Sequence, residues 1–154
     1  MNAADQPLPL PGLVSPGPHS DIPQEARIFV PFIGGWDLII TWRQAGAVVR
    51  VERGEWHFAW VLEGRGVQDV WITPPRSERS MRADLYEYGS SIRFYDRAID
   101  GWRSTWIGPM QSVVRTFVAR RVGDEHIRHD PADLLIGQRG LFRFVVTGKK
   151  QGGQ

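Results

Sequence analysis

The sequence predicts an all-β fold: an up-and-down antiparallel β-barrel of about eight or more strands. Three observations predict it. Short segments of alternating apolar and polar residues recur along the chain, and most are joined by compact turns. Seven tryptophans and seven phenylalanines give those segments bulky apolar faces. The turns are too short to hold the crossover helices that a parallel sheet demands. A closed barrel is preferred to a sandwich because consecutive meander strands pair with their neighbours and closure removes aggregation-prone edges.

The chain of 154 residues is one domain in size, long enough to bury a core without metal or disulfide help. It contains no cysteine, which excludes thiolate chemistry, cysteine-ligated zinc and disulfide stapling, and fits a reducing compartment. The net charge is +2, and the arginines alternate with Asp and Glu instead of forming a basic face, so a nucleic-acid partner is not expected. There is no signal-peptide pattern, and no apolar run approaches the ~18 residues needed to span a bilayer. The sequence reads as soluble and cytoplasmic, with no membrane partner.

Taken in order, residues 1–24 carry Pro7, Pro9, Pro11, Pro16, Pro18 and Pro23, and proline removes backbone donors and fixes φ. They read as a flexible tail ahead of a barrel domain at 25–147, with a second flexible tail at 148–154. Ile28, Phe29, Phe32 and Ile33 suggest a helical turn broken by Pro31, placed to plug one end of the barrel. The first strand spans 36–42 and is apolar on both parities. The second spans 49–62, with Trp56, Phe58, Trp60 and Leu62 on one face and Glu55, His57, Ala59 and Val61 on the other. Gly54 in its middle suggests a bulge or sharp bend.

Gly64 to Gly66 turns the chain into a strand at 67–73 that stops at Pro74-Pro75, and 76–87 reads as a loop or short helix. Strands at 90–96 and 102–107 flank a hairpin turn over 96–101. Further strands follow at 113–121, 125–129 and 141–147, with Asp130-Pro131 opening either a helical turn or a wide loop.

Gly34-Gly35-Trp36 at the head of the first strand is similar to the Gly-x-Trp start of lipocalins and other calycins. Gly54-Glu55-Trp56-His57-Phe58, Val67-Gln68-Asp69-Val70-Trp71, Ile92-Arg93-Phe94-Tyr95-Asp96 and Trp102-Arg103-Ser104-Thr105-Trp106 together resemble an uncharacterised, calycin-like bacterial family. The resemblance covers about residues 32–122, in order, and implies a barrel around a cavity with no established reaction. It also implies a further hairpin after a strand like 141–144; here the chain instead ends in Gly148-Lys149-Lys150-Gln151, which leaves closure open.

Glu55 and His57 are two apart and share a strand face, so inside a cavity they would serve proton transfer or hold a polar group. The competing reading is an exposed face, with Trp56, Phe58 and Trp60 claiming the interior. Asp69 stands between Val67 and Trp71, and if buried it needs a partner, for which Arg93 is the natural choice. Arg93 and Tyr95 share a face and would together bind an acidic or carbonyl group; the alternative is a structural ion pair. Asp96 and Asp100 are turn residues. His126 and His129 are three apart and point to opposite faces, so haem ligation is not supported, and no metal-ligand, phosphate-loop or nucleophile-elbow motif is present. No cofactor is expected.

These readings converge on a barrel that binds a small apolar or amphipathic ligand bearing an acidic or carbonyl group. Trp56, Trp60, Trp71 and Trp106 supply walls, and His57, Asp69, Arg93 and Tyr95 supply polar contacts. The alternatives are an isomerase, cyclase or hydrolase using Glu55, His57 or Asp69, and a protein-interaction module that uses its Pro-rich tail or an open edge. A second copy of the chain is a partner the sequence allows.

Overall fold

A computed structural model describes residue 10 and residues 12–81, 87–122, 126–131 and 143–152. It is all-β and antiparallel. The strands are β1 (Val14–Ser15), β2 (Gly34–Gln44), β3 (Ala47–Val61), β4 (Gly66–Thr73) and β5 (Glu87–Asp96), followed by β6 (Gly101–Gly108), β7 (Val113–Val122), β8 (His126–Pro131) and β9 (Arg143–Lys150). They lie in one sheet in the order β8-β7-β6-β5-β4-β3-β2-β9, with β1 alongside β3. That order is the chain order of a meander joined into a ring and opened once, between β8 and β9. Among the described residues the sheet is therefore not closed.

Strand periodicity assigns the two faces. Even-numbered residues of β2 and β6, and odd-numbered residues of β4, β5 and β7, line up with Trp56, Phe58 and Trp60 of β3 through the cross-strand register. This is the core face. On it Phe58, Trp60, Val67, Trp102 and Ala119 are buried, joined by Ile22, Ala26, Ile28 and Phe29 from ahead of the sheet. Trp56, Phe58 and Trp60 thus turn toward the core, and Glu55 and His57 turn away from it.

Both terminal segments differ from the flexible tails expected of them. Val14 and Ser15 pair with Val61 and Trp60, next to the part of β3 that β2, beginning opposite Phe58, does not reach. The Leu62 amide donates to the Leu13 carbonyl and the His19 amide to the Gly64 carbonyl, and Ile22 is 5% exposed. The prolines here do exclude a central strand, but they do not prevent a strap from docking where few donors are needed. Gly64 makes room for it: a β-carbon there would lie 2.1 Å from the Gly17 carbonyl oxygen, and its φ is +78°. Residues 1–9 and 11 lie outside the described residues. At the other end β9 runs to Lys150, which pairs with Trp36, and the Gln151 amide donates to Gly35. Its β-structure exists because β2 offers a free edge, which the glycine-rich composition does not reveal.

The segment between strap and sheet forms two 3-10 turns, Gln24–Ala26 and Val30–Phe32; Pro31 does not break a turn but lies in the first turn of the second, where its missing N–H costs nothing. The Trp102 indole donates to the Ala26 carbonyl at 2.8 Å and the Trp36 indole to the Phe32 carbonyl at 2.6 Å. Phe29 meets Trp102 edge-on with ring centres 5.1 Å apart. These contacts plug one end of the core.

Gly54 does not mark a bulge; the register shift falls at Trp42/Arg43. Gly54 instead permits close packing, since a β-carbon would lie 2.8 Å from both the Ile72 carbonyl oxygen and Thr73 Cγ2. Asp130 and Pro131 belong to the end of β8, opposite Val118 and Phe117. Arg76–Met81 is a 3-10 turn. The first residue of the strand expected at 125–129, and Leu141 and Phe142 of the strand expected at 141–147, lie outside the described residues.

Candidate functional site

The charged residues singled out by sequence divide into three separate places. On the outer face, Glu55 and His57 meet Arg76, which begins the turn after β4. Glu55 Oε2 is 2.9 Å from His57 Nε2, the Arg76 guanidinium donates to Glu55 Oε2 at 2.7 and 3.0 Å, and the Arg76 amide donates to Oε1 at 2.6 Å. Burial pushes the Glu55 carboxyl up, but hydrogen bonds from Arg76 and His57 outweigh it and hold the group at about 2. A carboxylate so firmly ionised is a poor base, and the cluster serves to fasten the 76–81 turn to β3.

Asp69 and Arg93 lie on the core face, each 2% exposed, and the Arg93 guanidinium donates to Asp69 Oδ2. The Ser91 amide donates to Asp69 Oδ1 at 3.2 Å. Arg93 lies 4.7 Å from the ring centre of Phe29 and 5.6 Å from that of Phe58, so it is enclosed by aromatic faces as well as paired. Its Nε, and Oγ of the directly opposite Ser104, are buried without a hydrogen-bond partner.

Tyr95 shares the face of Arg93 but does not join it. Its hydroxyl donates to Asp100 Oδ1 at 2.8 Å, across the hairpin turn, and this bond raises the phenol above its ordinary range. Arg93 and Tyr95 therefore do not form the expected anion cradle. The first is neutralised by Asp69 and the second is committed to the turn.

The tryptophans also divide. Trp60 is 5% exposed and belongs to the solid core beside Trp102, with ring centres 6.4 Å apart. Trp56, Trp71 and Trp106 lie further along the sheet, and Trp56 links them to the core by packing on Phe58, with ring centres 4.7 Å apart. Trp56 and Trp71 are cross-strand partners that meet edge-to-face, 5.1 Å apart at 77°. Trp71 lies opposite Gly89 on β5. A β-carbon on Gly89 would lie 2.3 Å from Cζ2 and Cη2 of Trp106, and one on Gly108 would lie 2.9 Å from its Nε1. The Trp106 indole therefore crosses the backbone of two glycines whose missing side chains make room for it. Trp56 Nε1 is buried and has no hydrogen-bond partner.

Glu87 completes this place, and sequence reading missed it. It is 8% exposed, and its carboxyl oxygens would lie 3.2 and 3.4 Å from the same Gly108 β-carbon that touches Trp106 Nε1. Burial raises its pKa, offset in part by the Tyr88 amide, which donates to Oε1 at 3.1 Å. Starting the strand at Ser90 hid it; the alternation Glu87, Gly89, Ser91, Arg93, Tyr95 puts it on the core face. Glu52, the other buried carboxylate toward this end, is already held by the Trp42 indole at 3.0 Å and by Arg50 at 3.2 Å.

Two depressions of about 290 and 450 Å³ lie over the outer face of β4–β7, with Ile92 in both and Phe94 in the larger. Part of their polar lining is already paired, Gln68 donating to Ser90 Oγ and Ser90 Oγ to the Asp69 carbonyl. The side chains of His126 and His129 lie outside the described residues. No helix among the described residues is long and apolar enough to cross a membrane. In comparisons with known proteins, no family model, no curated protein and no solved structure matched this chain.

Proposed function

We propose that this protein binds a small, largely apolar ligand on the core face, with Trp56, Trp71 and Trp106 as its walls and floor. The fold reading behind this is a calycin-type barrel, supported by the ring-like strand order and by the plug of residues 22–33 at one end of the core. The single observation that carries the function is the buried Trp56 indole N–H with no acceptor, set in an aromatic wall. A buried donor left unpaired costs ~1–3 kcal/mol, and a ligand acceptor would recover that cost.

The acceptor is a neutral carbonyl rather than an acid. Asp69 already compensates Arg93, so a second anion on this face would add an unpaired buried charge beside Glu87 and Glu52. The enzyme alternative rests on Glu55, His57 or Asp69; Arg76 occupies the first two and Arg93 the third. Native mass spectrometry of protein purified from its own cells tests the proposal. A co-purified neutral or amphipathic molecule, absent from a Trp56→Phe/Trp106→Leu variant that stays folded, is the expected result; identical spectra for both proteins would reject it.

A further inference from the structure

Glu87 is a costly residue to keep. A carboxylate sitting 8% exposed beside the Trp106 indole loses most of its hydration, and it accepts a hydrogen bond from the amide of the next residue. Among the described residues no Lys, Arg or His forms an ion pair with it, whereas the buried carboxylates Glu52, Glu55 and Asp69 each have an arginine. The burial is not forced by the sheet. A glutamine would fill the same volume and accept the same amide hydrogen bond without a charge.

Its surroundings have a recognisable chemistry. Glu87 stands two residues from Gly89, about 7 Å along β5, and Gly89 is where the Trp106 ring crosses the strand and where Trp71 faces it. Glu87 and Trp106 both approach Gly108 within 3.4 Å of a common point. A carboxylate at the edge of a group of indole faces attracts organic cations twice, by direct charge and through the ring quadrupoles. It repels carboxylates for the same reasons.

We infer that Glu87, beside the Trp106 indole, receives a positively charged amine carried by the ligand. This rests on the core-face binding reading above and gives that ligand its second polar group: a carbonyl toward Trp56 and an ammonium toward Glu87. The amine supplies the counter-charge that this carboxylate lacks among the described residues, and its N–H groups donate to the oxygen that the Tyr88 amide does not bind.

Three probes with one ring and different heads separate the possibilities: benzylamine (cationic at neutral pH), benzyl alcohol and benzoate. Each is titrated into the full chain and followed by tryptophan fluorescence and calorimetry. The expected result is benzylamine at least tenfold tighter than benzyl alcohol, with benzoate weakest. In Glu87→Gln the benzylamine preference falls to about twofold or less, while benzyl alcohol binds as before. Equal binding of benzylamine and benzyl alcohol to the unaltered protein overturns the cation site but leaves the core-face reading standing. A benzylamine preference that survives in folded Glu87→Gln also overturns it. Failure of all three probes to bind overturns the cation site and counts against the core-face reading too.

Discussion

Glu55 and Glu87 show how one residue type takes opposite roles on the two faces of a sheet. Arg76 and His57 hold Glu55 ionised down to about pH 2, although burial opposes this. Burial around Glu87 favours its protonated form instead. The folded-state pKa of Glu55 lies below its ordinary value of 4.5, so its stabilising contribution is complete above about pH 4.5 and is lost as the pH falls toward 2. The shift corresponds to something on the order of 3 kcal/mol. Glu55→Gln is therefore expected to be less stable than the unaltered protein at pH 7, with the difference shrinking steadily below pH 4.5 in urea unfolding. A difference that stays constant from pH 7 to pH 2 would show that the ion pair is not its source. The pairing of Asp69 with Arg93 was legible in the sequence, because a carboxylate between Val67 and Trp71 must find a cation if that face is buried. Arg76 as the partner of Glu55 was not, since the two residues meet only through the turn that follows β4.

At the scale of elements, the strands were the legible part. Alternation in β3, β5 and β6 follows from side chains that point to opposite faces, and one residue of misregister would send the tryptophans to the outside. What alternation cannot supply is the identity of the buried face. Here the plug decides it, by placing Phe29 against Trp102 and Phe32 against Phe58 at 5.7 Å. The strap was illegible for a related reason. Proline forbids interior strands, but Val14 and Ser15 need only one neighbour, and Asp21 finds Arg65 at 2.7 Å. Deleting residues 1–24 is accordingly expected to lower the melting temperature by more than about 5 °C, through loss of Ile22 from the core and exposure of the Trp60 and Val61 edge. An unchanged melting temperature would mean that the strap contributes nothing to the core.

At the scale of the whole molecule, one antiparallel sheet carries two kinds of interior. Toward the plug the core face is filled by Trp60, Trp102, Phe58 and Phe29 around a neutralised ion pair. Toward the far end it bears Trp56, Trp71 and Trp106 with an unpaired indole N–H and, in Glu87, a carboxylate with no cationic partner among the described residues. The first arrangement specifies the fold, and the second leaves polar groups for a ligand to satisfy. Composition announced the aromatic interior but could not divide it, because the division depends on Gly89 and Gly108 lying where Trp106 crosses them. The most direct test of ligand binding reads the seven indole N–H signals by nitrogen–proton correlation NMR during titration with acetophenone, an aromatic ketone. The expected result is a saturable shift of the Trp56 signal as it gains an acceptor, with the Trp36 and Trp102 signals, already bonded to Phe32 and Ala26, nearly unmoved. A Trp56 signal that stays in place while the ketone saturates, or that moves no further than those two, would contradict the assignment of this face as the binding site.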